Sequence, residues 1–134
     1  INALCVRDFA LVLSDKFEIA TDRVGDTTVL YYYYDDEDYG KNLKAGVDTV
    51  KTFNDLFGTY PYSTLSVVKT NFVHGGMEYP NLVYISDETQ GNDYVNVIIH
   101  ETAHQWWYGV VGSNAFKYLC ECDRIYGFCE FRSY

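Results

Sequence analysis

The stretch from residue 96 to residue 107 constrains this chain most, because it combines an apolar helix with two histidines and a glutamate. Its sequence is Asn-Val-Ile-Ile-His-Glu-Thr-Ala-His-Gln-Trp-Trp. A helix turns once per about 3.6 residues, so His100 and His104 project from one face, one turn apart. Two imidazoles so placed can occupy two corners of a zinc tetrahedron. Glu101 can reach a water on the open metal position and take its proton as that water attacks a carbonyl, so the spacing predicts a zinc peptidase centre.

The same stretch admits a plainer interpretation, in which these residues fall at this spacing by chance on a solvated helix. The apolar residues of the stretch argue against a solvated helix, because they surround the helix and favour burial. These residues are Val97, Ile98, Ile99, Ala103, Trp106 and Trp107. Buried imidazoles and a buried carboxylate need partners, and a metal ion supplies them. We therefore expect one zinc ion as the cofactor, on a helix that begins near Asn92 or Asp93 and ends near Gly109.

Charge and composition limit the partners of the chain. Its 134 residues include 48% apolar and 22% charged side chains, which is typical of one globular core or of a piece of a larger protein. The net charge of -9 argues against nucleic acid and anionic membranes as partners. No apolar run approaches the length of a membrane span. Because the chain starts at Ile1 rather than at Met, we expect an excised segment, with the rest of the parent protein missing.

The four cysteines are Cys5, Cys120, Cys122 and Cys129. Their even number permits disulfides, and a Cys-x-Cys pair can ligate metal, but the spacing matches no disulfide framework. Free thiols in a reducing compartment are the preferred interpretation. They favour a cytoplasmic location, which the N-terminus by itself does not reveal.

Periodicity along the chain predicts an α/β (α+β) fold. From Tyr39 to Phe57 the apolar residues recur with a helical period, and Gly58 ends that helix. The acidic run Asp35–Asp38 reads as a solvated loop that caps this helix, without a catalytic role. Runs of β-branched and aromatic residues predict strands at residues 4–13, 17–20, 27–34, 65–68 and 82–85. We expect a mixed sheet, one amphipathic helix and the zinc-binding helix.

A second candidate functional motif lies at residues 75–80, with the sequence Gly-Gly-Met-Glu-Tyr-Pro. The paired glycines let another backbone approach closely, and Pro80 suits an edge strand because it cannot donate to an inner ladder. Such an edge can bind an extended peptide by strand addition, with Glu78 pairing the amino terminus. The alternative, favoured on spacing alone, is an ordinary loop with one exposed glutamate. Exposed sheet edges also predict self-association.

Together the two motifs resemble the zinc aminopeptidase family of alanyl aminopeptidase and leukotriene hydrolase, which are gluzincins with an HExxH helix. Residues 75–80 are similar to the GxMEN element of that family, and the order and separation of the two motifs match it. The resemblance covers roughly residues 5–117 and implies a thermolysin-like catalytic domain. Residues 1–22 would end an N-terminal β domain or begin the catalytic domain, and residues 23–134 would form the N-terminal part of the catalytic domain.

Position by position, the resemblance implies that His100 and His104 are zinc ligands and that Glu101 is the general base. It also implies that Glu78 binds the free α-amine of a peptide substrate. Gly75, Gly76 and Met77 would bind the substrate along the strand edge. The implied activity is zinc-dependent removal of N-terminal residues from peptides. A blocked N-terminus would leave the Glu78 carboxylate unpaired, which accounts for exopeptidase selectivity.

Two departures from the family qualify this expectation. The family's third zinc ligand, a glutamate, would fall at Asp123, in a segment unlike the family's. Glu121 or a cysteine could substitute, and a shifted alignment gives Tyr126. The family's transition-state tyrosine lies beyond the end of this chain. We therefore expect a truncated catalytic domain that is weakly active or inactive alone, the alternatives being a catalytically dead metal- or peptide-binding domain and a zinc endopeptidase.

Overall fold

The computed structural model describes residues 9–107 and 109–110. Five strands and two helices follow one another there: β1 (Glu18–Val24), β2 (Thr27–Tyr33), α1 (Tyr39–Phe57), β3 (Thr64–Thr70), β4 (Gly76–Tyr79), β5 (Leu82–Ser86) and α2 (Gly91–Ala103). The predictions for the four cysteines and for the third-ligand candidates Glu121, Asp123 and Tyr126 lie outside the described residues. The domain division at residues 22 and 23 stays a prediction.

The strands form one mixed sheet in the order β1-β2-β3-β5-β4. β1 and β2 pair antiparallel across a turn in which Gly25 has a φ of 59°, a left-handed conformation that glycine adopts without strain. β2, β3 and β5 run parallel, and β4 returns antiparallel to β5 at the edge of the sheet. A mixed sheet with an edge strand, an amphipathic helix and a second helix carrying the HExxH residues confirms the predicted fold class.

Both helices cover one face of this sheet, and one apolar core fills the space between. A β-carbon added to Gly46 of α1 would contact Val29 and Val67 of the sheet and Ile98 of α2, at 3.6, 3.7 and 3.9 Å. The largest fully buried side chains come from the sheet and from α2: Tyr31, Leu65, Ile85 and Ile98. In β2, buried and partly buried residues alternate, as a strand with one core face requires. Within the described residues, neither helix has the length and apolar character to cross a membrane.

The predicted strand at residues 4–13 is wrong for the part that is described, because residues 9–13 form no strand. Instead, residues 10–14 line a cleft together with Tyr32, Ser66, Val68 and Leu82. These four side chains alternate with core residues and so point to the sheet face away from the helices. The segment lies across a sheet face rather than along a sheet edge, and β-propensity alone cannot distinguish the two placements.

One residue of the acidic run before α1, Asp36, accepts hydrogen bonds from residues on both sides of it in the chain. The Asp36 carboxylate accepts hydrogen bonds from the Tyr31 hydroxyl at 2.5 Å, from Asn42 Nδ2 at 3.0 Å and from the main-chain N–H of Asp38 at 3.0 Å. Burial raises the pKa of the Tyr31 hydroxyl well above its ordinary value, with the nearby Tyr94 hydroxyl adding to the effect. Tyr31 therefore remains a proton donor and joins the end of β2 to the start of α1.

Replacing Gly46 by Ala is expected to stabilise the fold by about 0.5–1 kcal/mol, because alanine restricts the unfolded chain and favours a helix interior. The new methyl group makes ordinary van der Waals contacts, none closer than 3.6 Å. Urea unfolding of the two proteins measures the difference. Gly40→Ala, in the first turn of the same helix with open space around it, is the control and should change stability less. A lower midpoint for Gly46→Ala would contradict this packing.

Candidate metal centre

The helix that was predicted to bind zinc is shorter than expected. α2 ends at Ala103 rather than near Gly109. Beyond that residue the main chain tightens: the N–H of Gln105 donates to the Thr102 carbonyl at 3.1 Å, three residues back, and Trp106 donates to Ala103 at 3.0 Å. Gly109 closes the turn by donating to the His104 carbonyl at 3.0 Å. A β-carbon at Gly109 would overlap the Gln105 carbonyl oxygen, so this turn requires glycine.

The two histidines face each other at the end of α2. Their Nε2 atoms lie 3.0 Å apart, and their rings are nearly perpendicular, at 87°. His104 is buried, and its Nδ1 lies 3.4 Å from the Trp107 carbonyl oxygen. An Nδ1–H that donates to this carbonyl leaves Nε2 with its lone pair available, which is the tautomer that a metal ligand needs.

These residues fit a zinc ion. Nitrogens at two corners of a zinc tetrahedron lie roughly 3.3 Å apart when each is about 2.0–2.1 Å from the metal, and the two Nε2 atoms are 3.0 Å apart. Ligand-type atoms of His100, Glu101 and His104 all lie within 4.8 Å of one another. Among the residues that the structure describes, no other group of three or more histidine, cysteine or acidic residues is gathered in this way.

The Glu101 carboxyl group lies against the first residue of the edge strand. Glu101 is buried, with 6% of its surface exposed. A β-carbon added to Gly76 would lie only 2.6 Å from the carboxyl carbon of Glu101, so this contact requires glycine. The sequence predicted a close approach by another backbone here, whereas in the structure the approaching group within the chain is this side chain. At Gly75 the nearest contact would be Val97 at an ordinary 3.8 Å.

Glu78 shares a sheet face with Gly76. Side chains alternate along a strand, so residues 76 and 78 point to one face of β4 while Met77 and Tyr79 point to the other. The Tyr79 ring accordingly packs on Tyr84, with 5.3 Å between the ring centroids. Gly76 faces Glu101 of α2, and the half-buried Glu78 therefore lies on the sheet face that α2 covers. Roles for Glu78, Gly75, Gly76 and Met77 in substrate binding stay predictions.

Gln105 was not among the predicted site residues. It is 2% exposed, and its side chain bonds to the turn between β4 and β5: Nε2 donates to the Tyr79 carbonyl at 3.1 Å, and Oε1 accepts from the Asn81 N–H at 2.9 Å. One signal in the sequence could have identified it. A polar amide between His104 and Trp106, in a buried apolar helix, must find hydrogen-bond partners in the fold.

Aromatic side chains anchor the end of the histidine-bearing segment. Trp106 donates from Nε1 to the carbonyl of Gly58 at 2.9 Å and packs on Phe53 and Tyr60. Burial raises the pKa of the Tyr60 hydroxyl, with Tyr62 adding a smaller effect, so Tyr60 stays protonated. Its proton is shared between Asn81 Oδ1 at 2.6 Å and Gln105 Oε1 at 3.2 Å. The high aromatic content therefore serves, in part, to fix the position of His104.

Comparison with known proteins identifies the fold. No protein-family model matches the chain. Among solved structures, an aminopeptidase N family protein from Idiomarina loihiensis matches 67% of this chain and 18% of its own, at 15% identity and a TM-score of 0.52. An M1 zinc metallopeptidase from Deinococcus radiodurans, solved as a point mutant, matches 67% of this chain and 22% of its own, at 21% identity and a TM-score of 0.50.

The match spans about a fifth of the length of either structure. Both structures come from the zinc aminopeptidase family that the two sequence motifs resemble, and identities this low establish the fold alone. The chain has the fold of part of an M1 zinc metallopeptidase.

Proposed function

We propose that this chain carries the metal-binding and amine-binding part of a zinc aminopeptidase. One observation carries the proposal: the ligand-type atoms of His100, Glu101 and His104 lie within 4.8 Å of one another, beside an edge strand that directs Glu78 to the same side. The two histidines would hold the zinc ion. A further ligand would come from outside the described residues, with Asp123 and Glu121 as the candidates.

The chemistry assigned to the chain's own residues is peptide hydrolysis. When bound, the zinc ion supplies the Lewis acidity that activates a water molecule and polarises the scissile carbonyl. Glu101 would accept one proton from that water as its oxygen bonds to the carbonyl carbon, and would then pass the proton to the nitrogen that leaves. The contact of Glu101 with Gly76 holds the carboxylate at the edge strand, where an extended substrate would lie.

The outer edge of β4 provides the substrate site in this proposal. Among the strands that the structure describes, β4 pairs with β5 on one side and with none on the other. An extended peptide could add to that edge through main-chain hydrogen bonds. The Glu78 carboxylate would then pair with the α-ammonium group of the peptide. A peptide with a blocked N-terminus leaves this half-buried carboxylate without that partner, which disfavours its binding.

Glu78→Gln is expected to remove the preference for a free N-terminus. The test compares the affinity of the zinc-loaded chain for one labelled peptide with a free amine and for its N-acetylated form. A hydrogen bond between charged groups is worth about 1.5–3 kcal/mol, so the wild type should prefer the free amine by roughly 10- to 100-fold. Glu78→Gln should bind both peptides about equally.

Glu88→Gln is the matched control, because it removes the same charge from an exposed residue after β5. This variant should keep the wild-type preference. Equal binding of the two peptides by the zinc-loaded wild type would contradict the amine site and favour an endopeptidase or a peptide-binding domain. Loss of the preference in Glu88→Gln would show that overall charge, rather than Glu78, recognises the amine.

A further inference from the structure

Two hydrogen bonds join Gln105 to main-chain atoms on either side of Pro80. Tyr79, before the proline, accepts from Nε2 at 3.1 Å, and Asn81, after it, donates to Oε1 at 2.9 Å. A main-chain carbonyl can only accept and a main-chain N–H can only donate, so these partners fix the orientation of the amide. The glutamine amide supplies one donor and one acceptor in this arrangement, whereas an ionised carboxylate of the same size has no donor.

The turn that Gln105 binds is itself rigid. Pro80 restricts its own φ and has no N–H, and Asn81 adopts a left-handed φ of 63°. The Asn81 side chain accepts from the Tyr60 hydroxyl at 2.6 Å. The turn that follows α2 therefore holds the last residue of β4 and the first main-chain N–H after Pro80 through Gln105. The segment that follows α1 holds the Asn81 side chain through Tyr60.

These contacts hold both ends of the edge strand. At its first residue, Gly76 lies against Glu101, and at its last residue, Tyr79 bonds to Gln105. Glu78 lies between the two points. Gln105 directly follows His104, and its main chain is fixed as well, because its carbonyl accepts from the Val110 N–H at 3.1 Å. The distance between the Glu78 carboxylate and the histidine pair therefore depends on this amide.

We propose that Gln105 is a positioning residue, which holds β4 against the histidine-bearing segment so that an amine bound at Glu78 places the first peptide bond at the metal. The inference rests on the proposed function. The α-amine and the carbonyl carbon of one residue are only two bonds apart, so the allowance for error in the position of Glu78 is small. A misplacement of about 1 Å in such a site costs on the order of 100-fold.

The test uses the zinc-loaded 134-residue chain, with Gln105→Leu to remove the hydrogen bonds at similar size. Three quantities are measured: bound zinc, the ratio of affinities for the free-amine and N-acetylated peptides, and the hydrogen exchange of the Asn81 amide. Zinc content should stay at the wild-type level. The affinity ratio should fall about tenfold, and exchange at Asn81 should accelerate at least about tenfold, because each depends on the lost hydrogen bonds.

Val50→Ala is the control for a general loss of stability. Val50 is fully buried in α1 and does not contribute to the Gln105 network, so its truncation destabilises the core without breaking these bonds. It should keep the wild-type affinity ratio. Gln105→Met is the second variant, for use if Gln105→Leu does not fold. Its unbranched side chain is close to glutamine in length, has no N–H donor for Tyr79 and offers only a weak acceptor to Asn81, so its affinity ratio should also fall.

Each outcome decides a separate point. A wild-type chain that binds both peptides equally contradicts the proposed function. A wild-type preference that Gln105→Leu retains contradicts the positioning role alone. The same loss in Val50→Ala, or unchanged exchange at Asn81 in Gln105→Leu, also overturns the positioning role. Loss of zinc from Gln105→Leu would show that Gln105 supports the histidines themselves rather than the strand, and overturns it too.

Discussion

Replacing His104 by Ala is expected to lower the zinc affinity of the chain by more than about 100-fold. Loss of a residue that only orients a ligand already costs about 10- to 100-fold, and His104 would supply a ligand atom directly. Its Nε2 lies 3.0 Å from that of His100, and its ring is buried at the end of α2, so its loss removes one of the two imidazole ligands that this group offers. Zinc per chain, measured by atomic emission after dialysis against a weak chelator, should fall from near one to near zero.

His74→Ala is the control for this experiment, because the chain has three histidines and His74 is exposed and outside the pair. It should keep its zinc. Stoichiometric zinc in His104→Ala would place the metal elsewhere in the chain. A wild type that holds no zinc would favour the alternative of a catalytically dead domain.

Replacing Gly76 by Ala is expected to have the second large effect. The methyl group would lie 2.6 Å from the Glu101 carboxyl carbon, so the carboxylate or the edge strand must move. Glu101 is buried, which limits its freedom to swing away. Overpacking of this kind costs about 1–3 kcal/mol. Urea unfolding should show this loss, while zinc content should be retained because the three atoms nearest to the new methyl group all belong to Glu101 and not to a histidine.

Gly75→Ala is the matched control, one residue earlier in the chain. Its methyl group would meet Val97 at 3.8 Å, which is ordinary contact, so stability should change by less than about 0.5 kcal/mol. If Gly76→Ala unfolded at the wild-type urea concentration, Glu101 could move without cost, and the contact would not hold it at the edge strand. In that case the position of the proposed general base would depend on other contacts.

Local patterns predicted the elements whose residues interact with near neighbours. α1 runs from Tyr39 to Phe57, as its helical period and Gly58 indicated. The pairing of His100 with His104, the residue that ends α2, followed from spacing as well, because residues four apart on a helix lie on one face. An edge strand before Pro80 was one of two interpretations of this segment, the other being a loop, and the structure places β4 at the edge of the described sheet. In each case the geometry is decided within a few residues of chain.

The predictions that failed concern residues whose partners are distant in sequence. The end of α2 was placed near Gly109, because nothing local shows that the chain tightens after Ala103. Residues 9–13 have the composition of a strand, but a strand also needs a neighbouring strand with which to pair. Gln105 was missed because Tyr79 and Asn81 lie more than twenty residues before it and meet it only in the folded chain.

The sequence by itself determined which chemical groups this protein can present: two imidazoles and a carboxylate within about one helical turn, and a glutamate that follows a pair of glycines. Those features depend on residue type and on the 3.6-residue period, which are local properties. Only the tertiary structure decided how the two elements meet. The contacts of Gly76 with Glu101 and of Gln105 with the β4–β5 turn set that relation, because close packing and buried hydrogen bonds depend on which segments the fold brings together.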